Sequence, residues 1–239
     1  MTTTSGTTQV DLPGQAHVAD GPHDQTGMYL MHHAFRRDLG RFEAAARATP
    51  VEAAATWRAL EQRWHRFGEV LHHHHTVEDD TAWPLMKTRA TEAGEPAAVE
   101  VLDAMEAEHD QIDPALHACG SALRDMVEHP CSDHRNALAV TIASARAALL
   151  AHLAHEETDA LPLWQRLFTA ADHETTERAA RSGYPASLMF GFMLPWMADE
   201  LPEPVLRRVL ADAPPGYGLA LRLARIGYER KERRAFGYA

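Results

Sequence analysis

Four long stretches of the chain carry apolar residues at a helical period. From Thr26 to about Ala48 these are Tyr29, Leu30, Phe35, Leu39 and Phe42, collected on one side of a helix. A second stretch holds Trp57, Leu60, Trp64, Phe67, Val70 and Leu71 and runs into four consecutive histidines, His72 to His75. Thr49-Pro50-Val51-Glu52 reads as its start: Thr and Glu three apart form a capping box, and proline is preset for the first helical position. Pro84 cannot donate to the carbonyl four residues back, so it is expected to kink or loosen the end of this helix. A third stretch, from about 96 to 128, holds Val99, Leu102, Met105, Ile112, Leu116 and Leu123, with Pro114 as a candidate bend. After the break His129-Pro130-Cys131-Ser132, a fourth runs from about 134 to 168, and its Pro162 matches Pro84. Alternating strand patterns and Asn-Gly hairpin turns are absent. Short links between long amphipathic helices predict an all-α, up-down-up-down four-helix bundle over residues 25–169.

The flanks differ from this core. Residues 1–24 are polar and contain Pro13, Gly14, Gly21 and Pro22, the composition expected of a flexible arm. Residues 170–239 contain Pro185, Pro195, Pro202, Pro204, Pro214 and Pro215, which predicts short helices packed on the bundle as a C-terminal extension. The apolar stripe Phe190, Phe192, Met193, Leu194, Trp196 and Met197 reads as packing, or as a cover over a site in the bundle.

With 239 residues, 45% of them hydrophobic, the chain suits one large domain or a domain with an appendage. The formal charge of −11 argues against a nucleic-acid partner, since phosphate binding depends on clustered Lys and Arg. The basic run Arg222, Arg225, Arg230, Lys231, Arg233 and Arg234 falls in a helical segment and reads as a solvated face. The first residues lack the apolar stretch of a signal peptide. Leu188–Met197 is interrupted by Gly191 and Pro195 and is too short to span a bilayer. Cys119 and Cys131 lack metal-ligand spacing and fit a reducing compartment. A cytoplasmic protein without membrane partners is the expectation.

Sixteen histidines change the picture. His74-x-x-x-Glu78-Asp79-x-x-x-x-Pro84-Leu85 returns 78 residues later as His152-x-x-x-Glu156-Glu157-x-x-x-x-Pro162-Leu163. Histidine and carboxylate at i and i+4 share one helix face, and imidazole with carboxylate suits iron, manganese or zinc. A single pair of this kind is an ordinary surface contact. Here the repeat extends upstream, because His32 precedes His109 by 77 residues, so two helix hairpins match. The repeat selects His32, His74, Glu78, His109, His152 and Glu156. The simplest arrangement gives one metal His32 and His74 and the other His109 and His152, with Glu78 and Glu156 bridging. Helix bundles build metal sites from inward-facing side chains in this way.

Over residues of about 26 to 168, with this order of His, His and Glu in each half, the chain resembles the bacterial type of hemerythrin-like HHE cation-binding proteins. The segment His32-His33-Ala34-Phe35-Arg36-Arg37-Asp38-Leu39 adds to the likeness. The resemblance implies a non-haem di-iron centre with an oxo or hydroxo bridge, in which manganese or zinc can substitute. It implies dioxygen or another small oxidant, such as peroxide or nitric oxide, as the reaction partner. Oxygen-carrying relatives place a second histidine in helix three where this chain has Asp113, and a more distantly spaced aspartate where it has Glu156. A lost histidine would open a coordination position and favour oxidation over reversible oxygen carriage. Asp113, His75 and Tyr29 are candidate extra ligands, the last two about 60° around their helices from Glu78 and His32. His33, His65, His72 and His73 point elsewhere in a regular helix. Three functions remain open: an oxygen-binding or sensing module, a di-iron oxidoreductase, and an iron-holding protein without turnover. No flavin, nicotinamide or P-loop signature is visible, so any reductant is an unidentified external one.

Overall fold

The computed structural model describes residues 7–239. Helix α1 spans Thr26–Ala48 and α2 spans Ala54–Val77. The second helix passes through a π-helical turn, Glu78–Ala82, into α3, Trp83–Ala93. After α4, Pro96–Glu128, the fourth rod repeats this construction, with α5 at Ser132–His155, a π turn at Glu156–Ala160 and α6 at Leu161–Leu167. The rods form the expected all-α bundle, α4 packing on α5 and α2, and α1 on α5. Among the described residues there is no strand, only an isolated bridge between Thr7 and Gly21.

The two prolines act differently from the expectation of a kink. Trp83 N–H reaches the carbonyl of Glu78, and Leu161 N–H that of Glu156, each five residues back. A proline after an α-helical turn would strike the carbonyl four residues behind it. The wider π turn makes room, so Pro84 and Pro162 sit in continuous rods. The predicted capping box also fails to form. Helix α2 begins at Ala54 without a side-chain cap, because the Pro50 carbonyl accepts from Trp57 Nε1 at 2.9 Å and closes a turn with Ala53 N–H at 3.0 Å.

Two apolar clusters share the bundle. Phe35, Leu39, Phe42, Trp57, Phe67 and Leu149 belong to one, and Tyr29, Trp83, Met86, Leu102, Met105 and Trp164 to the other. On each rod the histidines and glutamates of the repeat fall at the boundary between them. Both ends of that layer are therefore closed by packed side chains.

Residues 7–24 do not behave as a flexible arm, and the part of that expectation at residues 1–6 lies outside the described residues. Val10, Leu12 and Ala19 are buried in the second cluster. Gln9 Nε2 donates to the His23 carbonyl at 2.8 Å, and Ala16 N–H donates to Glu157 Oε2 at 2.7 Å. Prolines and glycines shape this strap without loosening it, since its few apolar side chains find a groove on the bundle.

The C-terminal extension comprises α7 Ala170–Arg181, α8 Ala186–Leu188, a third π turn Met189–Met193, α9 Leu194–Met197, α10 Glu203–Asp212 and α11 Tyr217–Ala235. A Thr169–Asp172 capping box starts α7. The last helix is longer than expected because no proline follows Pro215. Phe192, Met193, Trp196 and Tyr228 join the first cluster, while Phe190 of the predicted stripe is exposed. Asp38 anchors the extension, accepting from Trp196 Nε1 at 2.8 Å and Arg63 Nη2 at 2.5 Å, while Arg63 Nε donates to Glu232 at 2.7 Å. Burial alone would raise the Asp38 carboxyl, but Arg63 and Arg37 hold it below its usual 3.8. Glu232 goes the other way: burial, with the charge of Asp38 added, outweighs Arg63 and raises it.

The continuous rod Ser132–Leu167 is long and apolar enough by composition to cross a membrane, a property the shorter stretch Leu188–Met197 lacks. In the fold it is a bundle rod, and it carries buried His152, Glu156 and Glu157, groups that are costly to place in lipid.

Candidate metal centre

Each of the six residues selected by the repeat is buried, and all six meet between the rods. His32 comes from α1, His109 from α4, and each π turn begins on a glutamate whose histidine lies one turn earlier. The structure sorts the donors into two groups, with ligand atoms inside each group within 4.8 Å of one another. One group is His32, His74, Glu78 and Glu156; the other is His75, His109 and His152. His75 therefore stands beside the six. Its ring stacks on His109 at a centroid distance of 4.0 Å.

The glutamates face both groups. Glu78 Oε1 lies 3.2 Å from His74 Nε2, and Glu78 Oε2 lies 3.6 Å from His109 Nε2. Glu156 Oε2 lies 3.1 Å from His32 Nε2 and 3.9 Å from His152 Nε2. Each glutamate thus lies within 4 Å of a histidine in both groups.

Carboxylates behind the imidazoles set their orientation. His32 Nδ1 bonds Glu157 Oε1 at 2.9 Å, His109 Nδ1 bonds Asp79 Oδ1 at 2.8 Å, and His152 Nδ1 bonds Glu108 Oε2 at 2.8 Å. His75 Nδ1 bonds Asp113 Oδ1 at 3.3 Å. An acceptor behind Nδ1 keeps the proton there and leaves the Nε2 lone pair facing inward, the tautomer that binds metal; the assignment follows from these partners. Arg36 holds Glu157 in turn through two bonds of 2.7 and 2.8 Å.

The inward atoms have no partners. Nε2 of His32, His74 and His75 and both oxygens of Glu78 and Glu156 are buried and accept no hydrogen bond. The Nε2 atoms of His109 and His152 face each other at 3.1 Å, with both Nδ1 protons already committed to carboxylates. Orphaned polar atoms cost roughly 1–3 kcal/mol each, so a cluster of them calls for cations. The donor set of imidazole and carboxylate fits iron, manganese or zinc.

Protonation of the cluster reflects the same crowding of buried charge. Burial pushes the Glu78 carboxyl well up, helped by the charge of Glu156. Burial would raise Glu156 too, but His32, His152 and His74 outweigh it and hold that carboxyl down. His32 is lowered by burial and raised by Glu156 and Glu157, reaching about 9. Burial brings His75 to about 4 against the pull of Asp113, and it lowers His74 well below the usual range. The proton this favours on His32 Nε2, 3.1 Å from Glu156 Oε2, has to leave before that nitrogen can face a cation with its lone pair.

Of the candidate extra ligands, His75 joins the cluster and the other two serve it from outside. Asp113 orients His75. Tyr29 accepts from Ala19 N–H at 2.8 Å and so holds the strap, its hydroxyl raised by burial to about 12. His65 and His72 are exposed, and His73 packs on Tyr184 with ring centroids 4.2 Å apart. On the side where Asp113 stands, an imidazole from α2, His75, projects into the cluster. The orienting acids Asp79 and Glu157 follow Glu78 and Glu156 directly in both motif copies, a visible signal; Glu108, one residue before His109, carried none.

No curated protein and no solved structure matches the chain. Residues 24–164 match the family described as Hemerythrin HHE cation binding domain. That match spans more than half of the 239 residues and contains every donor in the cluster, so the chain belongs to the hemerythrin HHE cation-binding family.

Proposed function

We propose that this protein holds two iron ions and uses them to bind dioxygen or react with a small oxidant. The observation that carries this reading is the set of buried, unpartnered donor atoms meeting from four rods. His32 and His74 would hold one ion, His75, His109 and His152 the other, with Glu78 and Glu156 shared. Iron at such a site supplies one-electron steps and exchangeable positions for a small oxidant. The chain contributes the rest. The shared carboxylates offset the repulsion between two cations. Asp79, Glu108, Asp113 and Glu157 fix the imidazole tautomers, and the two apolar clusters keep bulk water out. Donors are uneven, two imidazoles against three, so exchange belongs on the side of His32 and His74.

Metal analysis of the purified protein should give two ions per chain, and rapid mixing of its reduced form with dioxygen and with peroxide should oxidise the centre. An oxygen complex that releases its gas under vacuum would instead favour a carrier or sensor. Removing the metal should lower stability by ~4 kcal/mol relative to a thousandfold excess over Kd, roughly 8–16 °C in Tm for a chain of this size. Equal melting with and without metal would place the ions at a superficial site.

A further inference from the structure

A cavity of about 210 Å³ opens against His74 and Glu78. Dioxygen or peroxide does not explain its size, since a water-sized molecule needs only about 10–15 Å³, while an apolar cavity of about 150 Å³ holds a benzene ring. Its walls carry five methionines: Met28, Met31, Met189, Met193 and Met197. Thioethers make favourable contacts with aromatic rings and adapt to their shape. Ala180 of α7 and the π turn Met189–Met193 supply walls, so the extension completes the cavity.

Besides the donors of His74 and Glu78 already described, one more polar group in this lining lacks a partner. Gln25 is 2% exposed, lines the cavity, and its Oε1 accepts no hydrogen bond. Its Nε2 is engaged with the Leu161 carbonyl at 3.4 Å, so what remains open is an acceptor that calls for a ligand O–H or N–H. His74, which lines the cavity, is also the one imidazole of the five with no carboxylate behind Nδ1 among the described residues.

We propose that this cavity binds a small phenol, an alkyl-substituted aromatic ring with one hydroxyl, the ring against the methionines and the hydroxyl on Gln25. Binding rests on the cavity alone; its meaning as the substrate class of the neighbouring centre rests on the di-iron reading above.

The test is calorimetric titration of the metal-loaded protein with 4-ethylphenol and with ethylbenzene, metal content being measured on the same samples. 4-Ethylphenol should bind one per chain, and ethylbenzene about tenfold more weakly, the worth of one buried hydrogen bond. Gln25→Leu should abolish that preference; no side-chain cap of α1 is lost with it. Ala180→Phe should fill the cavity and weaken 4-ethylphenol at least tenfold; if it fails to fold, Met28→Trp takes its place. The proposal is overturned by absence of binding at millimolar 4-ethylphenol, by equal affinity for the two probes, or by unchanged affinity in a folded Ala180→Phe. Binding that survives Ala180→Phe but disappears on metal removal would place the phenol on the metal and also overturn it. A protein that takes up no metal yet binds 4-ethylphenol would sink the di-iron reading and leave the cavity site standing.

Discussion

The two helix hairpins of the bundle, α1–α2 and α4–α5, share a frame and differ in the side chains around it. His32 and His109, His74 and His152, and Glu78 and Glu156 occupy matching positions. The acid after each glutamate crosses to the opposite hairpin, Asp79 to His109 and Glu157 to His32. The symmetry then breaks. His75 corresponds to Leu153, Met31 to Glu108, and Asp38 to Ala115. The first hairpin gains a fifth imidazole, an apolar wall beside His74, and a buried anchor for the extension. The second gains a carboxylate that grips His152 and His155 at 2.8 and 2.7 Å. A duplicated donor frame thus becomes two unlike halves through a few side chains around it, with the backbone frame retained.

The largest effect should come from what the halves share. Glu78→Ala and Glu156→Ala should each reduce bound metal from two ions to less than one per chain, because each glutamate faces both donor groups; full occupancy in either variant would separate the groups. His75→Leu makes the first hairpin like the second. It should leave one ion per chain, held by the His32 group, while two retained ions would show that His75 is a bystander stacked on His109.

Asp38→Asn tests the structural asymmetry. Breaking a buried ion pair costs about 3–5 kcal/mol, and chemical denaturation should show it. The folded carboxyl lies below 3.8. Its stabilisation is therefore full above the unfolded value and is lost as pH falls through the folded one. The gap between wild type and variant should stay constant above about pH 5 and narrow below about pH 4; a gap that widens in acid would reverse the assignment. The smallest effect is Glu108→Ala. Loss of a carboxylate behind a ligand typically costs 10–100-fold in metal affinity. Competition with a chelator should show this for one ion and leave the other unchanged.

The sequence carried the bundle and six donors because both are periodic. The helical spacing of apolar residues and the offset of 77 to 78 residues each repeat. His75 was harder to see because it sits inside a run of four histidines, of which only geometry selects two for the cluster. The π turns had a readable cue, a proline six residues after each glutamate, but the cue fits a kinked helix equally well. The strap was misread because composition reports on Pro13, Gly14, Gly21 and Pro22, while its placement depends on Val10, Leu12 and Ala19 meeting a distant surface. The cavity depends on the extension, which the repeat does not reach.

That strap has a consequence for how the protein is made. It precedes the bundle in the chain, yet its docking partners come much later: Ala16 meets Glu157 across 141 residues, His23 meets Gln165 across 142, and the His23 ring meets the Phe168 carbonyl across 145. Contacts of such separation form late. During synthesis the strap must wait until the fourth rod has emerged, and Glu157 has only His32 and Arg36 to hold until then. The donor cluster can therefore assemble while this side is still open, and the strap then latches over it as one of the final steps of folding.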